Sequence, residues 1–282
     1  MLSAQETEYL ITQGHLSVAI PATLQDNLTK LINLGNDFFS HDKDTKLAKH
    51  PPSRNTESGY YDVADEKEYV TFRSITSAEK ASEFDILAQQ TWQASAALLC
   101  RILYDLSTAI GIPYEAWTPL LDGCLQIPEG DVDDSLPSLL RVFKYMPDKG
   151  FAGKHTDNGI LTLCDGRDKG LQVWVSTSGD AQSASQGFWK DAEGPTVLVG
   201  DTLRVLSYSR IPAARHRVVK NEAGRNSIVF ALRPSLRAAE LDLSPFGEPG
   251  NSVNPAWFYK QMHSRKKNIN QRKPNTATEG TG

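Results

Sequence analysis

Three side chains in this sequence have the types and spacing to hold a metal ion. His155 and Asp157 flank Thr156 in the string KHTD, and residues two apart in a strand point to the same face. An imidazole nitrogen and a carboxylate oxygen can therefore converge on one point. An HxD string arises often by chance, so the pattern needs a third ligand from elsewhere. His216, in ARHRVV, opens another apolar run 59 residues after Asp157. An antiparallel fold can return such a strand to the same mouth. Two histidines and one carboxylate leave coordination positions open, which suits non-haem Fe(II) chemistry with dioxygen and a cosubstrate. Zinc also accepts such a set, so the choice of metal needs a second feature.

That feature is Arg225-Asn226-Ser227, nine residues beyond His216 at the start of NSIVFALRP. Arg225 and Ser227 again share a strand face. A guanidinium beside a hydroxyl is a natural receptor for a carboxylate, through charge-assisted hydrogen bonds. The pair is suited to grip the far carboxylate of a dicarboxylic acid whose other end chelates iron. A zinc hydrolase would need a general base by the metal, and no Glu adjoins His155 or His216.

The elements that must position these residues divide the chain in two. In the first half, Leu24, Leu28, Leu31 and Ile32 recur at helical spacing after Pro21, predicting a helix to about Ser40. A longer helix is predicted from about Ala78 to Ile110, with Phe84, Leu87, Thr91, Leu98, Ile102 and Leu106 buried. Gly111 and Pro113 stop it. After Leu139 come short β-branched or aromatic runs: LLRVFKYMP, ILTLC, GLQVWV, TVLVG, LRVLS, HRVV and NSIVFAL. Turn formers separate them, as in Asp165-Gly166 and Gly200-Asp201, and such spacing indicates an antiparallel sandwich or barrel. The small, polar stretch Ser176 to Gln186 reads as an exposed loop, and the basic stretch after Arg265 as a solvated tail.

Composition bounds the partners. The net charge of −4 over 282 residues argues against nucleic acid or an anionic membrane as the main partner. Three widely spaced cysteines (Cys100, Cys124, Cys164) form neither a disulfide framework nor a thiolate zinc site. The first residues lack the basic start and apolar core of a secretory signal, and no apolar run reaches a membrane span. The expected location is cytoplasmic, with a small-molecule substrate and dioxygen as partners. The sequence leaves the oligomeric state open.

Together these strings resemble the iron(II)/2-oxoglutarate-dependent dioxygenases, in the branch that includes isopenicillin N synthase and plant flavonoid and gibberellin oxidases. HTDNGILTL, GLQVW, LVGDTLRVLS, HRVV and RNS resemble that family's motifs, as do KEYVTFR and LLRVFKYMP upstream. Two departures stand out. The opening before GHLSVAI is short, and Leu198-Val199 precedes Gly200 where the family has an asparagine.

The resemblance implies a mainly β fold with α-helices: a double-stranded β-helix, or jelly roll, flanked by helices. It implies a helical part over 1–138, a catalytic core over 139–240 and a C-terminal segment over 241–282, all within one domain. His155, Asp157 and His216 would hold Fe(II), and Arg225 and Ser227 would receive 2-oxoglutarate. Tyr145 would add a hydroxyl near it, with Arg141 and Lys144 as rivals for the inward position. Arg73, Tyr69 and Phe72, after the KE string, would line the substrate pocket. Phe230 and Leu232, further along the Ser227 strand, would bound it. His15, His41, His50 and His263 read as solvent-facing, and Cys164 as a small buried hydrophobe. The implied activity is oxidation of a small organic metabolite, in specialised metabolism, by hydroxylation, desaturation or cyclisation. One alternative is an iron oxidase of the isopenicillin N synthase type that needs no 2-oxoglutarate. Another, from a different class, is a non-catalytic jelly-roll binding protein.

Overall fold

The runs after Leu139 pair into two antiparallel sheets that face each other across a cavity, except LRVLS, which is helical where a strand was expected. The computed structural model describes residues 1–53, 56–76, 79, 81–166, 168–177 and 186–264. Most of the expected exposed loop and the whole basic tail lie outside these residues.

The chain opens with α1 (Ala4–Gln13), β1 (His15–Ser17), α2 (Ala22–Ser40), α3 (Lys43–Lys49), β2 (Gly59–Val63), β3 (Lys67–Phe72), α4 (Glu83–Ile110) and the short α5 (Thr118–Leu121). The strands β4 (Leu139–Tyr145), β5 (Ala152–His155), β6 (Leu161–Gly166), β7 (Leu171–Ser176), β8 (Gly187–Asp191) and β9 (Thr196–Val199) follow. After α6 (Asp201–Leu206) come β10 (His216–Val218), β11 (Arg225–Leu232), β12 (Leu241–Asp242), β13 (Ser252–Val253) and α7 (Pro255–Ser264). The larger sheet runs β1-β9-β6-β11-β4-β3-β2 and the smaller β5-β10-β7-β8. From β4 to β11 the chain alternates between the two sheets, apart from the β7-β8 hairpin within the smaller one, in the jelly-roll manner. The strands therefore close a β-helix rather than an ordinary sandwich.

The long helix α4 forms as its sequence dictates. Ser82 and Asp85 make a reciprocal capping box at its start, and Gly111 closes it at φ 71°. Its buried face carries Phe84, Leu87, Thr91, Trp92, Leu99, Ile102 and Leu106. Leu99 rather than Leu98 sits in the core, because the stripe advances by helical turns from Trp92 and Ser95. Helices α2 and α4 pack on each other and on the larger sheet, which leaves that sheet's other face for the cavity.

Strand parity decides which residues see that cavity. On β11, Ile228, Phe230 and Leu232 join the core beneath the helices, whereas Arg225, Ser227 and Val229 face the cavity. On β4, Leu140 and Val142 face the helices, and Arg141, Phe143 and Tyr145 face the cavity. Among the described residues no helix is long and apolar enough to cross a membrane.

Candidate metal centre

His155 ends β5, His216 begins β10, and these two residues pair directly across the smaller sheet. Asp157 lies two residues past His155 in the turn before β6. The structure brings the three together: one donor atom from each lies within 4.8 Å of the others. The Asp157 Oδ1 is 3.8 Å from His155 Nε2 and 3.9 Å from His216 Nε2.

Both imidazoles are oriented by their other nitrogen. His155 Nδ1 lies 2.8 Å from the Gly153 carbonyl, and His216 Nδ1 lies 3.1 Å from that of Ala214. A carbonyl can only accept, so each Nδ1 carries the proton and each Nε2 is turned toward Asp157. Burial would raise the Asp157 carboxyl, but His216 and then His155 outweigh it and hold it down at about 2. Two imidazoles and a carboxylate held in its ionised form are a donor set that suits a divalent transition metal, so these residues fit Fe(II).

The turn that carries Asp157 is clamped to α6. Asp201 N–H donates to the Asp157 carbonyl at 2.8 Å, and Thr156 Oγ1 donates to Asp201 Oδ2 at 2.8 Å. Thr202 Oγ1 donates to the Asn158 carbonyl at 2.6 Å, and Gly200 N–H to that of Ile160 at 3.0 Å. A Cβ on Gly200 would fall 2.6 Å from the Gly159 carbonyl carbon. Only glycine lets the two segments approach this closely. The string GDTL is thus a mould for the ligand turn.

The cavity around this cluster measures about 580 Å³. Arg225 and Ser227 line it from β11, and Tyr145 stands opposite Arg225 on β4. Arg225 is 7% exposed and its Nε is buried without a hydrogen-bond partner among the described residues. Its Nη1 donates to the Asp168 carbonyl, and the guanidinium lies over Gly166. A buried cation with donors to spare fits the carboxylate of 2-oxoglutarate. Burial pushes the Tyr145 hydroxyl up, so it stays a neutral hydrogen-bonding group. Of the residues competing for this wall, Arg141 and Tyr145 face in and Lys144 faces away.

The four residues expected to touch substrate lie elsewhere. Arg73 is 5% exposed and spends its guanidinium on the carbonyls of Thr56, Asp133 and Leu136, so it staples two loops. Phe72 packs edge-on against Phe84 and His50 beneath the helices. Phe230 packs on Trp92, at 5.0 Å between ring centroids, because it lies three residues from Ser227 and so has the opposite parity. Leu232 faces the core for the same reason. Tyr69 shares the cavity-side face of the larger sheet with Phe143 but does not line the cavity, being stacked on Tyr61 and beneath the Arg141 guanidinium.

Two histidines expected in solvent are also inside. His15 is 4% exposed, and the His50 ring packs among Phe38, Phe72 and Phe84. Cys164 is buried, as expected of a small hydrophobe, and lines the cavity. Sequence reasoning missed Glu57 and Arg233, which line the same cavity. Continuing the period-two pattern 225, 227, 229, 231 would have reached Arg233. Glu57 lies in a loop and carried no such signal.

Fold and site together define a jelly roll that carries a His-Asp-His cluster able to hold a metal ion. Residues 137–234 match the 2OG-Fe(II) oxygenase superfamily. The chain is 34% identical over 98 residues to gibberellin 2-beta-dioxygenase 3 of Arabidopsis thaliana, covering 33% of this chain and 27% of that protein. It is 37% identical over 116 residues to the oxidoreductase vrtI of Penicillium aethiopicum, covering 40% and 25%. The aligned part thus spans about a quarter of either relative. The Neurospora crassa T7H, solved with alpha-KG and 5-formyluracil, superposes with a TM-score of 0.67 at 18% identity, covering 93% of this chain and 89% of that one. At that identity the likeness speaks for the fold.

Proposed function

We propose that this protein is an Fe(II)- and 2-oxoglutarate-dependent oxygenase that oxidises a small organic molecule. One observation carries the reading: the His155-Asp157-His216 cluster and the buried Arg225-Ser227 pair open into one cavity. Metal binding alone would need only the cluster. A spare buried guanidinium at the same cavity calls for an anionic cosubstrate, which favours 2-oxoglutarate over an oxidase that uses none.

In this reading His155, Asp157 and His216 hold Fe(II), which with its cosubstrate and dioxygen supplies the power to oxidise an unactivated C–H bond. Arg225 and Ser227 fix the distal carboxylate of 2-oxoglutarate. Tyr145 backs that carboxylate from β4. The α6 clamp keeps the ligand turn from shifting, and the cavity walls limit water around the reacting groups. We assign these roles to the core over 139–240, with the helical part over 1–138 supporting its larger sheet. The three cysteines are free, which suits a cytoplasmic location.

The experiment is to load the protein with Fe(II) anaerobically, add 2-oxoglutarate, admit oxygen and measure succinate against oxygen uptake. Succinate formed in step with oxygen consumption, and abolished by Asp157→Ala, is the expected result. Oxygen uptake without succinate would replace this reading with the oxidase. Cosubstrate binding without oxygen uptake would replace it with the binding protein.

A further inference from the structure

The cavity holds a second basic group that the metal and 2-oxoglutarate do not use. Arg141 enters from β4, Arg233 from just past the end of β11, and Glu57 from the loop before β2. Arg233 Nη1 donates to Glu57 Oε2 at 2.9 Å, and Arg141 Nη2 lies 3.6 Å from Glu57 Oε1. Both arginine side chains are well buried, at 8% and 15% exposed. Thr71 Oγ1 accepts from Arg141 Nε at 2.7 Å, and the guanidinium lies over the rings of Tyr69 and Phe143. The Pro137 carbonyl accepts from Arg233 at 3.3 Å. These contacts fix both planes. Arg141 Nη1 has no acceptor within hydrogen-bond distance among the described residues.

Charge balance then limits the ligand. In the loaded site, the two positive charges of Fe(II) and one of Arg225 balance Asp157 and the doubly charged 2-oxoglutarate. The two guanidiniums of Arg141 and Arg233 share the single carboxylate of Glu57, which leaves one buried positive charge unmatched; the Lys154 ammonium also lines the cavity but is exposed to solvent. An unmatched buried charge is costly, and a substrate carrying one negative charge would neutralise it. Two rigid planar forks suit a planar carboxylate.

We propose that Arg141 and Arg233, bridged by Glu57, form the receptor for a carboxylate on the substrate. This deepens the oxygenase reading and rests on it, because the receptor matters only if oxidation occurs in this cavity. It also gives the pocket wall an arginine pair in place of Arg73, which was expected to line it. The receptor orients the substrate: the carboxylate points to Arg141 and Arg233, and the carbon chain extends toward the metal.

The test uses full-length protein loaded with Mn(II), which stands in for Fe(II) without turnover, and saturated with 2-oxoglutarate. The probes are 3-phenylpropanoate, 4-phenylbutanoate and 5-phenylpentanoate, each titrated calorimetrically beside its primary amide. At least one acid should bind on the order of ten- to a hundredfold tighter than its amide, the range of a charged hydrogen bond. Arg141→Met and Arg233→Met should each erase most of that preference. Glu57→Gln, which frees a second charge, should enlarge it, and this variant keeps both arginines if either methionine variant folds poorly. Acids that bind no better than amides in the unaltered protein would overturn the proposal, as would a preference that survives both arginine changes. Titrations of Mn(II) and 2-oxoglutarate on the same samples separate the two readings. If the unaltered protein takes up neither, the oxygenase reading falls and this proposal falls with it. If both bind and no acid is preferred, the carboxylate receptor alone is refuted.

Discussion

Replacing Gly166 with alanine should weaken 2-oxoglutarate binding without touching Arg225 itself. Gly166 lies on β6 opposite Ser227 of β11, and the Arg225 guanidinium rests directly over it. A Cβ built there falls 2.6 Å from Arg225 Cζ and 2.8 Å from its Nη1, well inside van der Waals contact. The three nearest atoms all belong to that guanidinium, the far end of a flexible side chain. The strand can therefore accept the methyl group, provided the guanidinium moves. Alanine also lowers the entropy of the unfolded chain by about 0.4–1 kcal/mol, so net stability should change by less than about 1 kcal/mol. Binding should change more. Displacing the guanidinium removes at least one charge-assisted hydrogen bond to the carboxylate, worth about 1.5–3 kcal/mol, or about 10- to 150-fold in Kd. The assay is calorimetric titration of 2-oxoglutarate into Mn(II)-loaded protein, with a melting curve on the same sample. A normal melting temperature with unchanged 2-oxoglutarate affinity would refute Arg225 as the anchor.

Three further outcomes are expected. Asp157→Ala removes the only charged donor of the cluster, so Mn(II) affinity by equilibrium dialysis should fall by more than about a hundredfold. Phe230→Ala should cost about 3–5 kcal/mol in urea unfolding by opening a hole against Trp92. It should leave the 2-oxoglutarate affinity of the folded protein unchanged, the opposite of what a pocket residue would do. His15 offers the pH prediction. Burial lowers its imidazole from 6.5 to about 4, so the folded state resists its protonation. Its contribution to stability is complete above pH 6.5 and is lost as pH falls toward 4, on the order of 3 kcal/mol in all. Unfolding curves across that range, compared with His15→Phe, should show the slope flattened in the variant; an unchanged slope would exclude His15 as its source.

The parts of the site that lie on strands were legible because strand geometry has a short, fixed period. His155 with Asp157, and Arg225 with Ser227, needed only a spacing of two and an antiparallel return. The same period, misapplied by one residue, put Phe230 on the wrong face. Arg73 failed for another reason: its charge predicted a ligand, but a ring of backbone carbonyls satisfied it first. Helix α1 went unread although Ser3 and Glu6 form a capping box and Gly14 closes the helix at φ 74°. Glu57 was invisible because loop residues reach a cavity through tertiary packing that no local pattern encodes. His15 and His50 were misplaced because their polarity was weighed without the aromatic shells that enclose them.

Strand β11 begins with Arg225 and ends one residue short of Arg233, and both face the cavity. Eight residues of extended chain separate their Cα atoms by about 27 Å. That is far beyond the roughly 7–10 Å over which substitutions ordinarily influence one another. The two ends are therefore free to diverge on separate schedules. A lineage built on this scaffold can rewrite position 233 and its neighbours to accept new compounds, while inheriting the 225–227 end intact. The opposite order of change would be lethal to the chemistry before any new specificity could be selected.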